Sequence, residues 1–362
     1  MEQIDRYIRQ LILPGFGVIA QDKLLHAKVL IIGIGGLGCP SLQYLVAAGV
    51  GIIGIADQDI VSASNLHRQI LFTADEIGQQ KVFVAARKMK QLNDSVLVEP
   101  YPFAINKHNA IEMIAKYDLV IDGTDNFAAK YLINDVCVLL NKPFIYGAVS
   151  SYEGQITVFN APEESLQSIN YRDLFPIAPG LGEIQNCEQT GVLGPLPGII
   201  GTMQAAEAIK LITGLGKSLY GRLLSYNLLQ AHPYEIAIAK NINPVLINQS
   251  FFNSTDYDFN CLDEDTDIEE INVTTFNALR LKPNTFVLDV REINEYPVID
   301  FSDARIPMSE LKGAISSLPE KEICIICHQG IRSIYAAQLI QAQRNLKVYS
   351  VKGGLAAWFK EL

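Results

Sequence analysis

The chain has 362 residues, 49% of them hydrophobic and 19% charged, which leaves room for two ordinary globular domains, each with its own core. A net charge of −10 without a strong basic run argues against nucleic acid as the main partner, and no apolar run reaches the length needed to cross a membrane. The opening Met1-Glu2-Gln3-Ile4-Asp5-Arg6 lacks the basic-then-apolar pattern of a signal peptide, so the expected location is the cytoplasm.

In chain order, Lys28 to Gly33 predicts an apolar strand running into a glycine-rich turn. Leu37 to Ala48 predicts a helix stopped by Gly49, and Gly51 to Ala56 a second strand ending at Asp57. An amphipathic helix is expected over Gln79 to Leu92, a strand over Asp118 to Asp122, a helix over Asn126 to Leu140 and a strand over Pro143 to Tyr146. Apolar strands alternating with helices imply a parallel sheet covered on both faces. Gly154 to Asn160 and Arg222 to Asn227 read as further strands, and Gly201 to Thr213 as a helix capped by Gly214.

The rhythm breaks from Asn241 to Asp267, where Asn-Pro, Phe-Phe-Asn-Ser-Thr-Asp and an acidic stretch, Asp263 to Asp267, follow one another. The expected organisation is a first domain over 1–245, a linker over 246–267 with a solvated acidic surface, and a second α/β domain over 268–362. In that domain, strands are expected at Thr285 to Val290, Glu322 to Ile326 and Lys347 to Val351, with helices at Ile331 to Gln343 and around Trp358.

Gly33-Ile34-Gly35-Gly36-Leu37-Gly38 fits G-x-G-x-x-G between a strand and a helix, where glycines let the backbone approach phosphates. Asp57 ends the second strand, where a carboxylate accepts from ribose hydroxyls. Alone this says dinucleotide or ATP. Ser64-Asn65-Leu66-His67-Arg68-Gln69 adds a guanidinium and two amides, Gly78-Gln79-Gln80-Lys81 a helix-start lysine, and Asp122-Gly123-Thr124-Asp125-Asn126 carboxylates at a later strand end. Together these supply cations for a triphosphate and a carboxylate for Mg²⁺, none of which an NAD site needs.

Of the six cysteines, Cys39, Cys137, Cys187, Cys261, Cys324 and Cys327, only the last two have C-x-x-C spacing. In a cytosolic chain of this size thiols or catalysis outrank a disulfide framework, and Cys39, Cys137 and Cys324 read as small buried hydrophobes. Cys327 opens Cys327-His328-Gln329-Gly330-Ile331-Arg332-Ser333 after the apolar run Ile323-Cys324-Ile325-Ile326. At such a strand-to-helix turn, backbone N–H groups and the helix dipole stabilise a thiolate or a persulfide anion. Two rival readings remain at this level: an NAD-dependent oxidoreductase with a fused sulfur domain, and a nucleotide-sensing scaffold without chemistry.

Residues 1 to about 245 resemble the MoeB/ThiF family of adenylyltransferases, relatives of the ubiquitin-activating enzymes. Arg6-Tyr7-Ile8-Arg9-Gln10, the glycine loop, Asp57, Asn65 to Gln69, Lys81 and Asp125-Asn126 stand in that family's order. The resemblance implies a Rossmann-like α/β domain with a mixed sheet. It implies adenylylation by ATP of the C-terminal Gly-Gly carboxylate of a small ubiquitin-like protein such as MoaD or ThiS. It gives Gly33, Gly35, Gly36, Gly38 and Asn126 to the nucleotide loop set, Asp57 to the ribose, and Arg68 and Lys81 to the phosphates. Asp125 would bind Mg²⁺, and Asn65 and Gln69 would line the pocket. Arg9 is expected to reach the ATP of the other subunit of a homodimer.

Many members bind structural zinc through two C-x-x-C pairs. Here Asn170 and Asp173 stand where the first pair falls, and Val245 to Asn248 contains no cysteine for the second, so no zinc is expected. Cys187, in a Gly- and Pro-rich stretch, matches the family's loop cysteine, which implies either a part in an acyl-disulfide intermediate or a dispensable, partly exposed bystander.

Residues from about 268 to 362 resemble a smaller α/β rhodanese domain. The resemblance rests on Val287 to Glu292, the Cys327 loop, and Val351-Lys352-Gly353-Gly354 with Trp358. It makes Cys327 the carrier of sulfane sulfur, Arg332 the loop organiser and Ser333 a helix-start hydroxyl. Related phosphatase loops have one more residue between Cys and Arg, which favours sulfur over phosphate. Arg305 stands where many rhodaneses have a histidine. The joint implication is a thiocarboxylate made for molybdopterin or thiamine biosynthesis, with a cysteine desulfurase or thiosulfate as sulfur donor.

Overall fold

A computed structural model describes residues 2–161, 168–176, 191–242, 244–257, 268–293, 295–328 and 330–360. Cys187, Cys261 and the acidic stretch 263–267 lie outside the described residues. The described chain forms two compact units, one ending at Tyr257 and the other beginning at Ile268.

The first unit is built on an 8-stranded sheet in the order β3-β2-β1-β4-β5-β6-β7-β8. Its strands are β1 (Lys28–Ile32), β2 (Ile52–Ala56), β3 (Leu97–Tyr101), β4 (Leu119–Asp122), β5 (Phe144–Ser150), β6 (Glu153–Phe159), β7 (Arg222–Asn227) and β8 (His232–Ala237). β1 to β5 pair in parallel, and β6, β7 and β8 add on antiparallel, so the sheet is mixed as expected. The central strands are apolar on both faces because helices cover both: Val29 to Ile32 and Leu119 to Asp122 are buried throughout. Strand order reverses between β1 and β4, and a crevice opens beyond the carboxyl ends of strands at such a reversal.

The edge strands β3 and β8 were not legible as strands. Each contains a proline, Pro100 or Pro233, which an edge tolerates because one row of its N–H groups meets no neighbour. The helix expected from Gly201 starts six residues earlier, at Pro195, since proline is suited to a first helical turn. It ends as expected at Gly214, with φ 79°.

Around Asn170 and Asp173, which stand in place of the first expected cysteine pair, a buried polar cluster ties three segments together. Arg172 donates from Nε and Nη2 to the two oxygens of Asp135 at 2.8 and 2.7 Å, and Tyr257 Oη donates to Asp135 Oδ2 at 2.7 Å. The Arg172 guanidinium lies over the rings of Tyr131 and Phe251, 4.7 and 5.1 Å from their centroids. Asp173 accepts from the backbone of Asn170 and Asn241 and from Lys240. Residues 249–257, within the span expected as linker, are therefore packed onto the first unit: the helix Gln249–Ser254 buries Phe252, and Lys107 donates to the carbonyls of Asn253 and Thr255.

The second unit is a 5-stranded parallel sheet in the order β11-β10-β12-β13-β9. Its strands are β9 (Glu269–Ile271), β10 (Thr285–Asp289), β11 (Ala304–Arg305), β12 (Glu322–Ile326) and β13 (Val348–Val351). Alternation along β12 sends Ile323 and Ile325 into one core with Cys327, and Cys324 and Ile326 into the core on the other face. The C-x-x-C spacing thus puts its two cysteines in different cores.

Removing one partner of the Arg172–Asp135 pair strands a buried charge. Asp135→Ala is expected to cost about 3–5 kcal/mol, whereas the paired change Arg172→Met with Asp135→Leu costs much less. Thermal unfolding checks this, and equal losses in the single and double variants would refute it. Asn170 and Asp173, which stand where the first cysteine pair is expected, spend their side chains on backbone N–H groups, so a chelator should leave Tm unchanged.

Candidate functional site

The first unit gathers most of the expected nucleotide residues at the β1–β4 crevice. Gly33 leaves β1 with φ 89°, and a Cβ there would lie 2.7 Å from the carbonyl carbon and oxygen of Gly123, just past β4. A Cβ on Gly38, the first residue of the helix Gly38–Ala48, would lie 2.0 Å from the Gly33 carbonyl oxygen. Those two glycines close the turn. Gly35 has more room, its nearest neighbour being Gln69 Nε2, and Gly36 abuts Pro197 and the stem of Arg68.

Asp57 follows β2. Its Oδ2 accepts from the Ile34 N–H at 2.7 Å and its Oδ1 from the Asp59 N–H at 2.8 Å. Burial pushes its carboxyl above the ordinary value; the Lys81 charge and the two N–H bonds oppose that without cancelling it. Lys81 opens the helix Lys81–Leu92, is 3% exposed, and donates to Asp59 Oδ2 at 2.8 Å. Asp59 was not anticipated, because an exposed acid in a loop carries no pattern.

Gln69 is buried, and its Oε1 has no hydrogen-bond partner among the described residues. A buried acceptor left unpaired is costly, so a ligand with a donor fits here. Arg68 lies partly exposed with Nη1 on the Ser64 carbonyl, and the Asn65 carbonyl accepts from the N–H groups of Arg68 and Gln69.

Beyond β4, buried Asp122 is held by Lys130 and by Thr124, and Lys130 also donates to the carbonyls of Thr124 and Gly147 at 3.0 Å. This fixes the turn that presents Asp125, whose carboxylate is exposed and has no partner among the described residues. The donor set suits a hydrated divalent cation, since a hard ion takes carboxylate oxygen and keeps several waters. Asn126 caps the helix Phe127–Leu139 by accepting from the Ala129 N–H. Arg9 is exposed on the helix Glu2–Leu11, and the structure shows no contact that brings it to the crevice.

The second unit holds the sulfur loop. Cys327 follows β12 and is 1% exposed. Its Sγ accepts from the Gly330 N–H at 3.1 Å and lies 3.6 Å from Ser333 Oγ, at the start of the helix Ile331–Gln343. Ser333 donates to the Gly330 carbonyl and shares a hydrogen bond with Ser350. The carbonyls of Cys327 and His328 are taken by the N–H groups of Leu355 and Ala356, so the Gly353-Gly354 turn clamps the loop from behind. A Cβ on Gly354 would lie 2.3 Å from the Cys327 oxygen, which explains the glycine.

Arg332 does not point free into the loop. Its two terminal nitrogens bond the two oxygens of Glu295, one at 2.7 Å. Burial acts to lower the Arg332 pKa, but the Glu295 bonds and charge, and then Cys327, outweigh it and hold it above the usual value. Burial likewise opposes the charge on Glu295, and the Arg332 bonds win, keeping that carboxyl below its usual range. Arg305 donates to the carbonyls of Arg291, Glu292 and Glu295, so it braces the segment that carries Glu295.

Comparison with known proteins identifies both domains. The ThiF family model matches residues 7–246, and the rhodanese-like domain model matches residues 273–361. A Thermus thermophilus protein named sulfur carrier protein adenylyltransferase is 42% identical over 281 residues, 77% of this chain and 98% of that one. An Arabidopsis thaliana protein named adenylyltransferase and sulfurtransferase MOCS3 is 36% identical over 393 residues, 99% of this chain and 83% of its own length. Among solved structures, E. coli MccB with MccA-N7isoASN has TM-score 0.59 at 22% identity, covering 67% of this chain and 75% of that one. E. coli MccB with ATP has TM-score 0.56 at 22% identity, covering 64% and 69%. At that identity these two likenesses show the fold alone.

The environments of the cysteines separate their reactivity. Burial pushes the Cys39 and Cys324 thiols up to about 12, and the Cys137 thiol upward as well. At about pH 8 such thiols are ionised to roughly one part in ten thousand. Iodoacetamide on the folded protein should label Cys327 at least about tenfold faster than Cys39, Cys137 or Cys324, read by peptide mass spectrometry. Cys327 is as buried as they are, so the expected difference rests on the Gly330 N–H bond to its sulfur at a helix start, and equal labelling would contradict that argument.

Proposed function

The chain belongs to the ThiF family and carries a rhodanese-like domain, and from that premise we propose that it is an adenylyltransferase and sulfurtransferase acting on a small sulfur-carrier protein. The substrate is the C-terminal Gly-Gly carboxylate of a carrier of the MoaD or ThiS type. The product is its thiocarboxylate, used in molybdopterin or thiamine-type biosynthesis. The observation that carries the reading is the sulfur loop, with Cys327 Sγ on the Gly330 N–H at a helix start, in the same chain as a glycine-loop nucleotide crevice.

In the crevice the loop amides receive phosphate, Asp57 accepts from ribose hydroxyls, and Arg68 and Lys81 neutralise the triphosphate. Lys81 is bound to Asp59 at 2.8 Å, so it exchanges that carboxylate for phosphate when ATP enters. The unpaired Gln69 Oε1 gains a donor from the nucleotide. Asp125, the exposed carboxylate of the strand-end turn, would hold Mg²⁺, which would supply further charge neutralisation. The carrier carboxylate attacks the α-phosphate and pyrophosphate leaves, a step that needs position and counter-charge more than a general base. The protein works as a homodimer in which Arg9 serves the partner's ATP.

In the sulfur loop, the Cys327 thiolate takes a sulfane sulfur from a donor and becomes a persulfide. The terminal sulfur then attacks the acyl adenylate, forming an acyl disulfide with loss of AMP. A thiol cleaves that disulfide and releases the thiocarboxylate; Cys187 is the candidate within this chain, with an external thiol reductant restoring it. Loop amides and the helix start favour the anionic sulfur throughout.

The test is a mass spectrum of a Gly-Gly-ended carrier incubated with the protein, Mg-ATP, a sulfur donor and a thiol reductant. The carrier should exchange one oxygen for one sulfur. Cys327→Ser should abolish the exchange and leave pyrophosphate release intact. Lys81→Met should slow pyrophosphate release by about a hundredfold or more. Neither pyrophosphate nor a mass change with any such carrier would overturn the reading. Full activity of Cys327→Ser would favour a scaffold.

A further inference from the structure

We propose that Glu295 is a specificity-determining residue of the sulfur loop, turning it away from dianionic sulfur donors such as thiosulfate and toward persulfide donors of low charge. The inference rests on the reading of Cys327 as the sulfur carrier. An arginine beside a reactive cysteine is an anion receptor by default, because its planar fork matches an oxyanion with two N–H groups at once. Here the fork is already filled. Both terminal nitrogens of Arg332 bond Glu295, and the side chains are only 7% and 22% exposed, so water screens the pair weakly. A sulfonate group arriving at Cys327 meets a neutralised guanidinium backed by a carboxylate.

Glu295 is not free to swing aside. Its Oε1 also accepts from the Glu292 N–H at 2.8 Å, and its carbonyl accepts from Arg305 at 3.0 Å. Arg291 is fully buried, bonded through Nε and Nη2 to Asp289, and donates to the Pro297 carbonyl at 2.8 Å. Asp289 also draws Arg305 to 3.7 Å. The other cations of this wall, Arg291 and Arg305, are thus committed to Asp289 and to carbonyls. They hold Glu295 in place and do not replace the charge it cancels.

Loading is balanced without an outside redox partner. The Cys327 thiolate attacks the outer sulfur of the donor, a new S–S bond forms, and the donor's own S–S bond breaks. The electron pair leaves with sulfite when the donor is thiosulfate and with a thiolate when it is an alkyl persulfide. The leaving group and the incoming dianion are where the donors differ, and both lie in the field of the Arg332–Glu295 pair.

The experiment follows persulfide formation on Cys327 of the full chain by mass spectrometry, with thiosulfate and with the net-neutral persulfide of cysteamine in separate reactions. Glu295→Gln should raise the thiosulfate rate relative to the cysteamine persulfide rate by about tenfold, the effect of one nearby unit charge. Glu295→Asp, which keeps the charge, should keep the wild-type ratio. An unchanged ratio in Glu295→Gln, or a parallel fall with both donors, would mean that Glu295 only braces the loop, and the proposal fails. If neither donor loads wild-type Cys327, the sulfur-carrier reading itself falls, which is distinguishable because no ratio then exists.

Discussion

A glycine with positive φ lies just past a central parallel strand in each unit, and the anion-receiving turn of that unit depends on it. Gly33 ends β1 with φ 89°, and Gly330 stands four residues past β12 with φ 91°. In each case a Cβ would be driven into the neighbouring backbone, 2.7 Å from Gly123 in one and 2.6 Å from the Gly353 nitrogen in the other. Each turn hands the chain directly to a helix start. Helix-start N–H groups of this kind favour anions, which under the proposed function are phosphate in one unit and sulfur in the other. Two unrelated sheets arrive at one electrostatic device because a parallel strand feeding a helix leaves amides unpaired at that place.

What was legible in the sequence is what has a local cause. The apolar runs of β1, β4 and β12, the glycine loop, the helix ended by Gly214 and the Cys327 turn are each dictated by neighbours a few residues away. What was not legible depends on distant partners. Glu295 lies 37 residues before Arg332, and nothing in its own surroundings marks it as the partner. Asp59 is similarly paired with Lys81 across 22 residues. The strands β3 and β8 carry prolines that argue against a strand until an edge position makes them harmless. The span 249–257 reads as linker by composition, yet Phe252 and Tyr257 find buried places on the first unit.

The motif residues themselves divide by what they touch. Asn126 and Asp122 belong to the expected strand-end motif, but their side chains are spent inside the protein, one on a helix cap and the other on Lys130 and Thr124. Asp125, between them, is the carboxylate left facing solvent. Spacing alone groups the three together, and only burial and partners separate the residue left open to solvent from those that fix the turn.

The same distinction runs through the charges of both units. Lys130–Asp122, Arg172–Asp135, Arg291–Asp289 and Arg332–Glu295 are all ion pairs with at least one largely buried member, and each ties a loop or helix to its neighbour within its unit. Such pairs add little net stability, since desolvation offsets attraction, but they penalise any arrangement that separates them. That makes them suited to fixing geometry. The unpaired Gln69 Oε1 and the exposed Asp125 are the opposite case: polar groups that the fold leaves incomplete. Asn160, Tyr171, Ser225 and Thr285 also hold buried polar atoms without a partner among the described residues, so it is the position of Gln69 Oε1 beside the glycine loop, and not its being unpaired alone, that suits it to a ligand.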